Sequence, residues 1–218
     1  MTIPDWVGMP TLYGGLKDLC VISGAAVAAF VGLRGLQTWR RQLRGNSDHE
    51  LARRMLRLVY QVRDRIAGVR NPFVAPAETA KAMKDAGVPA EEWKQKQLGN
   101  ESMQFVYQAR WALLAAAMSD LHVEYVEAEV LWKDELKDER QQLHECVTKL
   151  YMALTRYLRR REGTGDEPEK WGKFENIIFS DLCEDDAFGK DVKKAVTDLE
   201  AAIRPYLSPP LKGKKRQS

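Results

Sequence analysis

The sequence predicts an all-α protein in which an N-terminal transmembrane helix is followed by an antiparallel helical-bundle domain. Three observations support this fold class. An uncharged run from Leu19 to Leu33 precedes a basic segment, apolar residues then recur at helical spacing, and no stretch alternates convincingly at period two. At 218 residues, 30% of them charged, the chain has room for one anchor and one domain of ordinary size.

The uncharged run forms the centre of the expected anchor. Its fifteen residues rise about 22 Å as a helix, which is short of a hydrocarbon core of about 30 Å. Apolar flanks extend it, and Tyr13 and Trp39 suit the two interfaces, so we expect the segment 12–39 to cross the bilayer once. The alternative is a buried helix of a soluble domain, because a run of this length also fits that role.

The charges around the run predict its direction. Ten arginines and three acids lie between Arg34 and Arg70, whereas a single lysine precedes the run. Because basic flanks stay cytoplasmic, we expect residues 1–11 outside, residues 46–207 as a cytoplasmic domain, and the cell inner membrane as the location (N-out/C-in). A secretory signal peptide has the reverse order of charge, which argues against cleavage.

Small residues inside the run, Gly24, Ala28 and Gly32, repeat every four positions. Such a face lets two helices approach closely in lipid, so it predicts self-association of the anchor and a homo-oligomer. The alternative interpretation is that these residues only fill a weakly apolar helix.

The first helix after the anchor has the clearest pattern in the chain. Its apolar stripe, spaced by three or four residues, is Leu51, Met55, Leu58, Val62, Ile66, Val69 and Phe73. Ser47 or Asp48 can cap its start, and Asn71-Pro72 ends it because the residue before a proline avoids the helical basin.

Shorter and longer helices are expected next. A stretch broken by Pro and Gly has room for short helices near 78–86 and 90–97. A long helix follows over 101–132, and 133–142 is either a solvated helix segment or a turn. The expected interior of the long helix is Phe105, Ala109, Ala112, Leu113, Ala116, Leu121, Tyr125 and Val130.

Two further stripes complete the predicted bundle of four or five antiparallel helices. They are Leu143, Val147, Leu150, Leu154, Tyr157 and Leu158, and then Phe188, Val192, Val196, Leu199 and Ile203, which closes at Pro205. Between them, 163–166 is a break, 171–183 contains a short helix, and the acids 184–186 cap the final helix. The basic, Pro-rich tail 208–218 is expected to be disordered.

The sequence carries no motif that indicates catalysis. It has no Gly-rich phosphate loop, nucleophile elbow, CxxC or HExxH, and its three cysteines follow no metal-type spacing. Asp120, Glu124 and Glu127 share a helix face near His122, which leaves a metal-dependent helical enzyme as an alternative. The ExxH pairs of carboxylate-bridged sites do not occur, and a solvated acidic face explains the same residues. We therefore expect a non-enzymatic protein with no cofactor and no metal.

Arginines that follow the anchor are the best candidates for an anionic contact. They are Arg40, Arg41, Arg44, Arg53, Arg54 and Arg57. Three partners stay open: the acidic segment 120–145 of this chain or another copy, anionic lipid headgroups, and another anionic partner such as nucleic acid. No groove-reading motif accompanies the charge, which argues against nucleic acid.

The stretch from Gly32 to Gly45, GLRGLQTWRRQLRG, with ELARR at 50–54 and VRNPF at 69–73, resembles a group of uncharacterised bacterial single-pass inner-membrane proteins. In that group an N-terminal anchor runs into a Trp-Arg-Arg-Gln-Leu segment and a helical cytoplasmic domain. The resemblance covers roughly residues 15–75 and implies a bacterial inner-membrane location, without functional residues.

Two hypotheses of function follow. The first is a membrane-tethered, non-enzymatic helical protein that assembles with itself or with a cytoplasmic protein. The alternative is an effector of bacterial stress or phage defence whose helices perturb the bilayer.

Overall fold

Helices account for almost all of the residues that the computed structural model describes, which are 9–93, 101–161, 171–179 and 186–207. The helices are α1 (Met9–Arg70), α2 (Pro76–Asp85), a 3₁₀ turn (Ala90–Glu92), α3 (Glu101–Trp132), α4 (Lys137–Arg161), α5 (Trp171–Ile178) and α6 (Ala187–Leu207). No strand occurs within those ranges. The all-α class is therefore confirmed.

Some predictions fall outside the described ranges. These concern residues 1–8 of the N-terminus, the second half of the helix expected at 90–97, the break at 163–166, and the tail 208–218. Within the helices, the side chains at 9–22, 25–27, 41, 101, 160–161 and 171–173 are also outside the description. Seven of the fifteen side chains of the uncharged run, those at 19–22 and 25–27, belong to this set.

The chain divides into two units, Met1–Ser47 and Asp48–Ser218. In the first unit the described large apolar side chains are exposed; they are Phe30, Val31, Leu33, Leu36, Trp39 and Leu43. Over the described residues, no helix combines the length and the apolar character that a membrane crossing requires.

The described residues of the second unit form a helical bundle around a shared hydrophobic core. The part of α1 from Asp48 onward lies antiparallel to α3, since Asp48 accepts a hydrogen bond from Trp132 and Arg54 binds Glu124. Helix α4 returns beside α3, where the rings of Trp111 and Tyr151 pack with centroids 4.9 Å apart. These contacts give the alternating directions of an up-and-down bundle.

Helix α6 closes the bundle. Its first residues adjoin the end of α1, where Asp186 binds Arg70, and its last turn stacks Tyr206 on Trp132 with ring centroids 3.9 Å apart. Asp186 also accepts a hydrogen bond from the Gly189 backbone N–H at 2.8 Å. The predicted cap of the final helix is therefore confirmed at Asp186.

Most of the predicted stripes are buried. In α6 every predicted position is in the core, and in α4 the first four are buried while Tyr157 and Leu158 are half-buried. The α1 stripe is buried except for half-buried Leu58 and for Phe73, which is 71% exposed. Phe73 lies beyond the end of α1, where the helical periodicity that predicted its burial no longer applies.

Three boundaries differ from the prediction or decide between alternatives. Helix α1 continues through residues 47 and 48, so the predicted helix start capped by Ser47 or Asp48 was wrong, and Asp48 instead accepts a hydrogen bond from Trp132. The segment 133–142 begins as a turn, with Lys133 and Asp134 at φ of 52° and 60°, before α4 starts at Lys137. Helix α6 does not close at Pro205 but continues to Leu207. Proline there removes one N–H from the last turn only, and burial of Tyr206 against Trp132 offsets that loss.

Candidate functional site

An exposed apolar stripe on α3 is the candidate interaction surface. We call it the outer stripe, and it consists of Phe105, Ala109, Ala112, Ala116, Ser119, Val123, Val126 and Val130. The valines at 123, 126 and 130 are 65%, 50% and 78% exposed. The stripe residues at 112, 116 and 119 are also exposed, and those at 105 and 109 are half-buried. Isolated exposed apolar residues are ordinary, but a contiguous stripe marks a contact surface.

The core side of α3 is a different stripe. Its buried residues are Tyr107, Leu114, Ala117, Leu121, Tyr125, Ala128 and Trp132. Only Leu121 and Tyr125 of the predicted interior belong to it; Ala112, Leu113, Ala116 and Val130 are exposed, so that part of the prediction was wrong. The reason is that α3 is apolar on two faces, and periodicity does not tell which face meets the bundle.

Arginine and carboxylate side chains join α1 and α3 at one edge of the outer stripe. Arg54 places its Nε 3.0 Å from Glu124 Oε2 and its Nη2 2.7 Å from Glu127 Oε2. The hydrogen bond that Arg54 donates to Glu124, which outweighs the effect of burial, raises the pKa of Arg54. An Arg that spans two carboxylates fixes the register of the two helices, although its 38% exposure limits the free energy gained.

Two of the three acidic residues proposed as an alternative metal site are paired with an arginine. Glu124 and Glu127 accept hydrogen bonds from Arg54, Asp120 is exposed, and His122 Nδ1 lies 3.3 Å from Arg140 Nη2. Among the described residues, no group of three or more His, Cys, Asp or Glu side chains is placed to hold a metal. The geometry is that of charge pairs between helices.

The other predicted arginines lie on the surface. Four of them are exposed, namely Arg40, Arg44, Arg53 and Arg57. The side chain of Arg41 is not among those that the structure describes. Arg54 alone of the six has a described ion pair across the bundle. The exposed arginines remain candidates for an anionic contact.

The small residues of the uncharged run share one side of α1. Gly24, Ala28 and Gly32 are exposed, and a Cβ placed on either glycine would meet no other atom within 4 Å. Their predicted role in helix association stays a prediction.

Two arginines that the sequence did not single out, one buried and one half-buried, hold the connections of the bundle. Arg70, with 5% of its side chain exposed, binds both carboxylate oxygens of Asp186 at 2.7 and 2.8 Å. It also donates to the carbonyls of Ile177 and Phe179 at 2.8 and 3.1 Å, and stacks over Phe188. It therefore joins the ends of three helices.

The second arginine, half-buried Arg110, anchors the segment between α1 and α2 onto α3. Its guanidinium binds the Glu78 carboxylate at 2.7 and 2.8 Å and the carbonyl of Phe73 at 2.8 Å. The hydrogen bond from Arg110 lowers the pKa of Glu78. In sequence Arg70 is one of the ten arginines between Arg34 and Arg70, whereas Arg110 stands alone in the segment 101–132. No signal marked either of them.

A small cavity lies at the turn between α3 and α4. It is lined by residues that include Tyr125, Trp132, Glu135 and Arg140, and its volume is about 180 Å³. The Tyr125 hydroxyl is buried there and finds no hydrogen-bond partner in the described chain, and burial raises its pKa. Nothing else in the cavity indicates a particular ligand.

Comparison with protein-family models, with curated proteins and with solved structures gave no match to this chain. The resemblance to bacterial single-pass proteins accordingly stays a prediction.

Proposed function

We propose that this chain is a membrane-tethered helical protein that acts by binding another protein through the outer stripe of α3, and not by catalysis. The observation that carries the proposal is the exposure of that stripe, because a helix that is apolar on two faces normally has both covered. A bundle that needed only its own core would place polar residues at these positions.

The proposed tether is the segment 12–39, as a single span in the inner membrane of a bacterial cell. Its support is the uncharged run, the arginines after it, and the exposure of Phe30, Val31 and Leu33, which lipid would cover. The acids of α3 support binding over metal chemistry, since Glu124 and Glu127 are paired with Arg54.

The test uses the full chain in membranes solubilised with a mild detergent and separated by native electrophoresis. We expect the wild-type chain to migrate as a complex larger than its monomer, and Val126→Asp to reduce that complex. The matched control is Met152→Asp, which places the same charge at an exposed position (48%) on α4. A complex unaffected by Val126→Asp, or a wild-type monomer, would contradict the proposal.

A further inference from the structure

We propose that the outer stripe of α3 binds the same stripe on a second copy of this chain, in a parallel pair whose two-fold axis runs along the two α3 helices. This inference rests on the proposed function and names its partner. Four features support it: the repeat of the stripe, the end of the bundle at which the proposed tether joins, the sizes of the residues in the stripe, and the charged side chains beside it.

The repeat of the stripe is that of a coiled coil. Its eight residues alternate spacings of four and three from Phe105 to Val130, without interruption. A 3.5-residue period keeps one seam facing a partner helix along its whole length when two helices wind around each other. In heptad terms, the a positions are Ala109, Ala116, Val123 and Val130, and the d positions are Phe105, Ala112, Ser119 and Val126.

The place where the proposed tether joins the bundle determines the direction of the pair. Helix α1 runs without a break from Met9 to Arg70 and enters the bundle at Asp48, which accepts a hydrogen bond from Trp132 at the C-terminal end of α3. A parallel pair places the C-terminal ends of both α3 helices, and with them both tethers, at one end, so that both spans reach the same membrane. An antiparallel pair would place the tethers at opposite ends, which a single membrane does not allow.

The large apolar side chains of the exposed part of the stripe lie near that end. Val123, Val126 and Val130 form the last three layers of the in-register pair, where the two tethers raise the local concentration of the copies. Valine at a positions, as at 123 and 130, is typical of parallel two-stranded coiled coils. The layers before them are alanine and serine, and the helices come closer there, since the distance between packed helix axes ranges over about 8 to 10 Å with the side chains at the contact.

The side chains at the two edges of the stripe agree with a parallel pair. In such a pair, position g of one helix faces position e of the following heptad on the other helix. The facing residues are then Gln108 with Leu113, Ala115 with Asp120, and His122 with Glu127. None of these combinations places like charges opposite each other, and the last one joins a hydrogen-bond donor to a carboxylate.

His122 and Glu127 of the second copy are the contact that defines the register. His122 Nδ1 lies 3.3 Å from Arg140 Nη2. Because a guanidinium group only donates, Nδ1 accepts in the neutral ring, and the ring proton on Nε2 is the donor for Glu127 of the second copy. The Glu127 side chain is 47% exposed, and beside the hydrogen bond from Arg54 its carboxylate has lone pairs for a further donor. The two-fold axis repeats this contact on the other side of the seam.

The experiment uses full-length chains in native membranes, with Cys20→Ser, Cys146→Ala and Cys183→Ser as the background. A chain that also carries Val126→Cys is oxidised, and we expect a disulfide-linked dimer, because the two copies of position 126 face each other across the axis. In an antiparallel pair of the same stripe, position 126 would face position 109. Its two copies would then be 17 residues apart along the helices, about 25 Å, which is too far for a disulfide.

The matched control is Met152→Cys, an exposed position on α4, which should give no dimer. Equal yields of dimer from Val126→Cys and Met152→Cys would indicate random collisions in the membrane and overturn the proposal. So would the absence of a dimer from Val126→Cys, or a dimer that forms only when Val126→Cys is mixed with Ala109→Cys, since that mixture cross-links antiparallel helices.

Sedimentation equilibrium in detergent measures the strength of the contact. In a chain that also carries Gly24→Leu and Gly32→Leu, so that the small-residue face cannot hold two copies together, Val126→Asp should raise the dimer dissociation constant roughly tenfold or more. His122→Glu, which places like charges opposite each other, should also raise it, and Met152→Asp should leave it unchanged. A dimer weakened by Val126→Asp but not by His122→Glu would refute the parallel register.

The same measurements separate this inference from the proposed function. A purified monomer, together with a Val126-dependent complex in native membranes, would refute the second copy and leave the proposed function standing. A purified monomer without any Val126-dependent complex in membranes would refute both.

Discussion

Arg70 and Asp186 form a bidentate ion pair between residues 116 positions apart in the chain, with Arg70 Nη1 2.7 Å from Asp186 Oδ2 and Nη2 2.8 Å from Oδ1. The pair joins the end of α1 to the start of α6 and leaves 5% of the Arg70 side chain exposed. Removing one partner of a buried pair leaves an uncompensated charge, which is a large cost.

Replacing Asp186 with Asn is therefore expected to lower the free energy of unfolding by about 3 kcal/mol. Asparagine keeps the size and capping ability of aspartate, so the change isolates the charge. Urea unfolding at pH 7 measures the effect. The control is Asp64→Asn, whose partner Arg63 is 49% exposed and which should cost less than about 1 kcal/mol. Equal midpoints for the two variants would show that the Arg70 pair does not stabilise the fold.

The same pair predicts a dependence of stability on pH. The hydrogen bond from Arg70 lowers the pKa of Asp186 in the folded chain. The stabilisation is then complete above the unfolded carboxyl pKa of about 3.9 and is lost as the pH falls through the lower folded value. Between pH 4 and pH 2 the free energy of unfolding should fall less steeply for Asp186→Asn than for Asp64→Asn. A decline of unchanged steepness would contradict this assignment.

Tyr125 carries a buried hydroxyl without a described hydrogen-bond partner, so we expect Tyr125→Phe to leave the fold as stable as the wild type or to stabilise it by about 1 kcal/mol. The matched variant is Tyr206→Phe, which loses the hydrogen bond to Glu135 while keeping the ring on Trp132, and should destabilise the fold by about 1 to 2 kcal/mol. Thermal unfolding compares them. Destabilisation by Tyr125→Phe as large as that by Tyr206→Phe would mean that the Tyr125 hydroxyl has a partner.

The proposed span predicts that the full chain resists extraction from membranes at alkaline pH and that its C-terminus is protected from protease added outside. Ala28→Lys places a charge near the middle of the span, at a cost of about 3 kcal/mol, and should release a substantial fraction of the chain. Gly45→Lys adds the same charge beyond the span and should not. Extraction of the wild-type chain, or digestion of its C-terminus from outside, would contradict the single N-out/C-in span.

Among the arginines predicted to contact an anionic partner, Arg53 and Arg57 are exposed, whereas Arg54 is paired with Glu124. Arg53 and Arg57 are the two of that set available to anionic lipid in a chain that begins at Asn46. For a chain that begins at Asn46, Arg53→Glu with Arg57→Glu should weaken binding to phosphatidylserine vesicles at least tenfold, at about 1 kcal/mol per arginine. Lys193→Glu with Lys194→Glu makes the same charge change on α6 and is the control. An equal loss of vesicle binding by the two double variants would mean that only net charge matters. If the chain that begins at Asn46 did not bind the vesicles at all, the lipid contact would be excluded.

Local features of the sequence determined the fold class and most helix positions. The 3.6-residue period of α6 and of α1 after Asp48 places nearly every predicted core residue correctly, because each of these helices has one apolar face. The end of α1 at Arg70 likewise follows from Asn71-Pro72, which acts through steric contacts between adjacent residues.

The tertiary structure decided what local patterns leave equivalent. Helix α3 has two apolar faces, and only its packing against α1 and α4 selects Leu114 and Leu121 for the core and leaves Val123 and Val126 outside. The pairing of Arg70 with Asp186 depends on where α6 begins relative to the end of α1. Periodicity along one helix carries no information about such contacts, because they are fixed by the arrangement of the whole bundle.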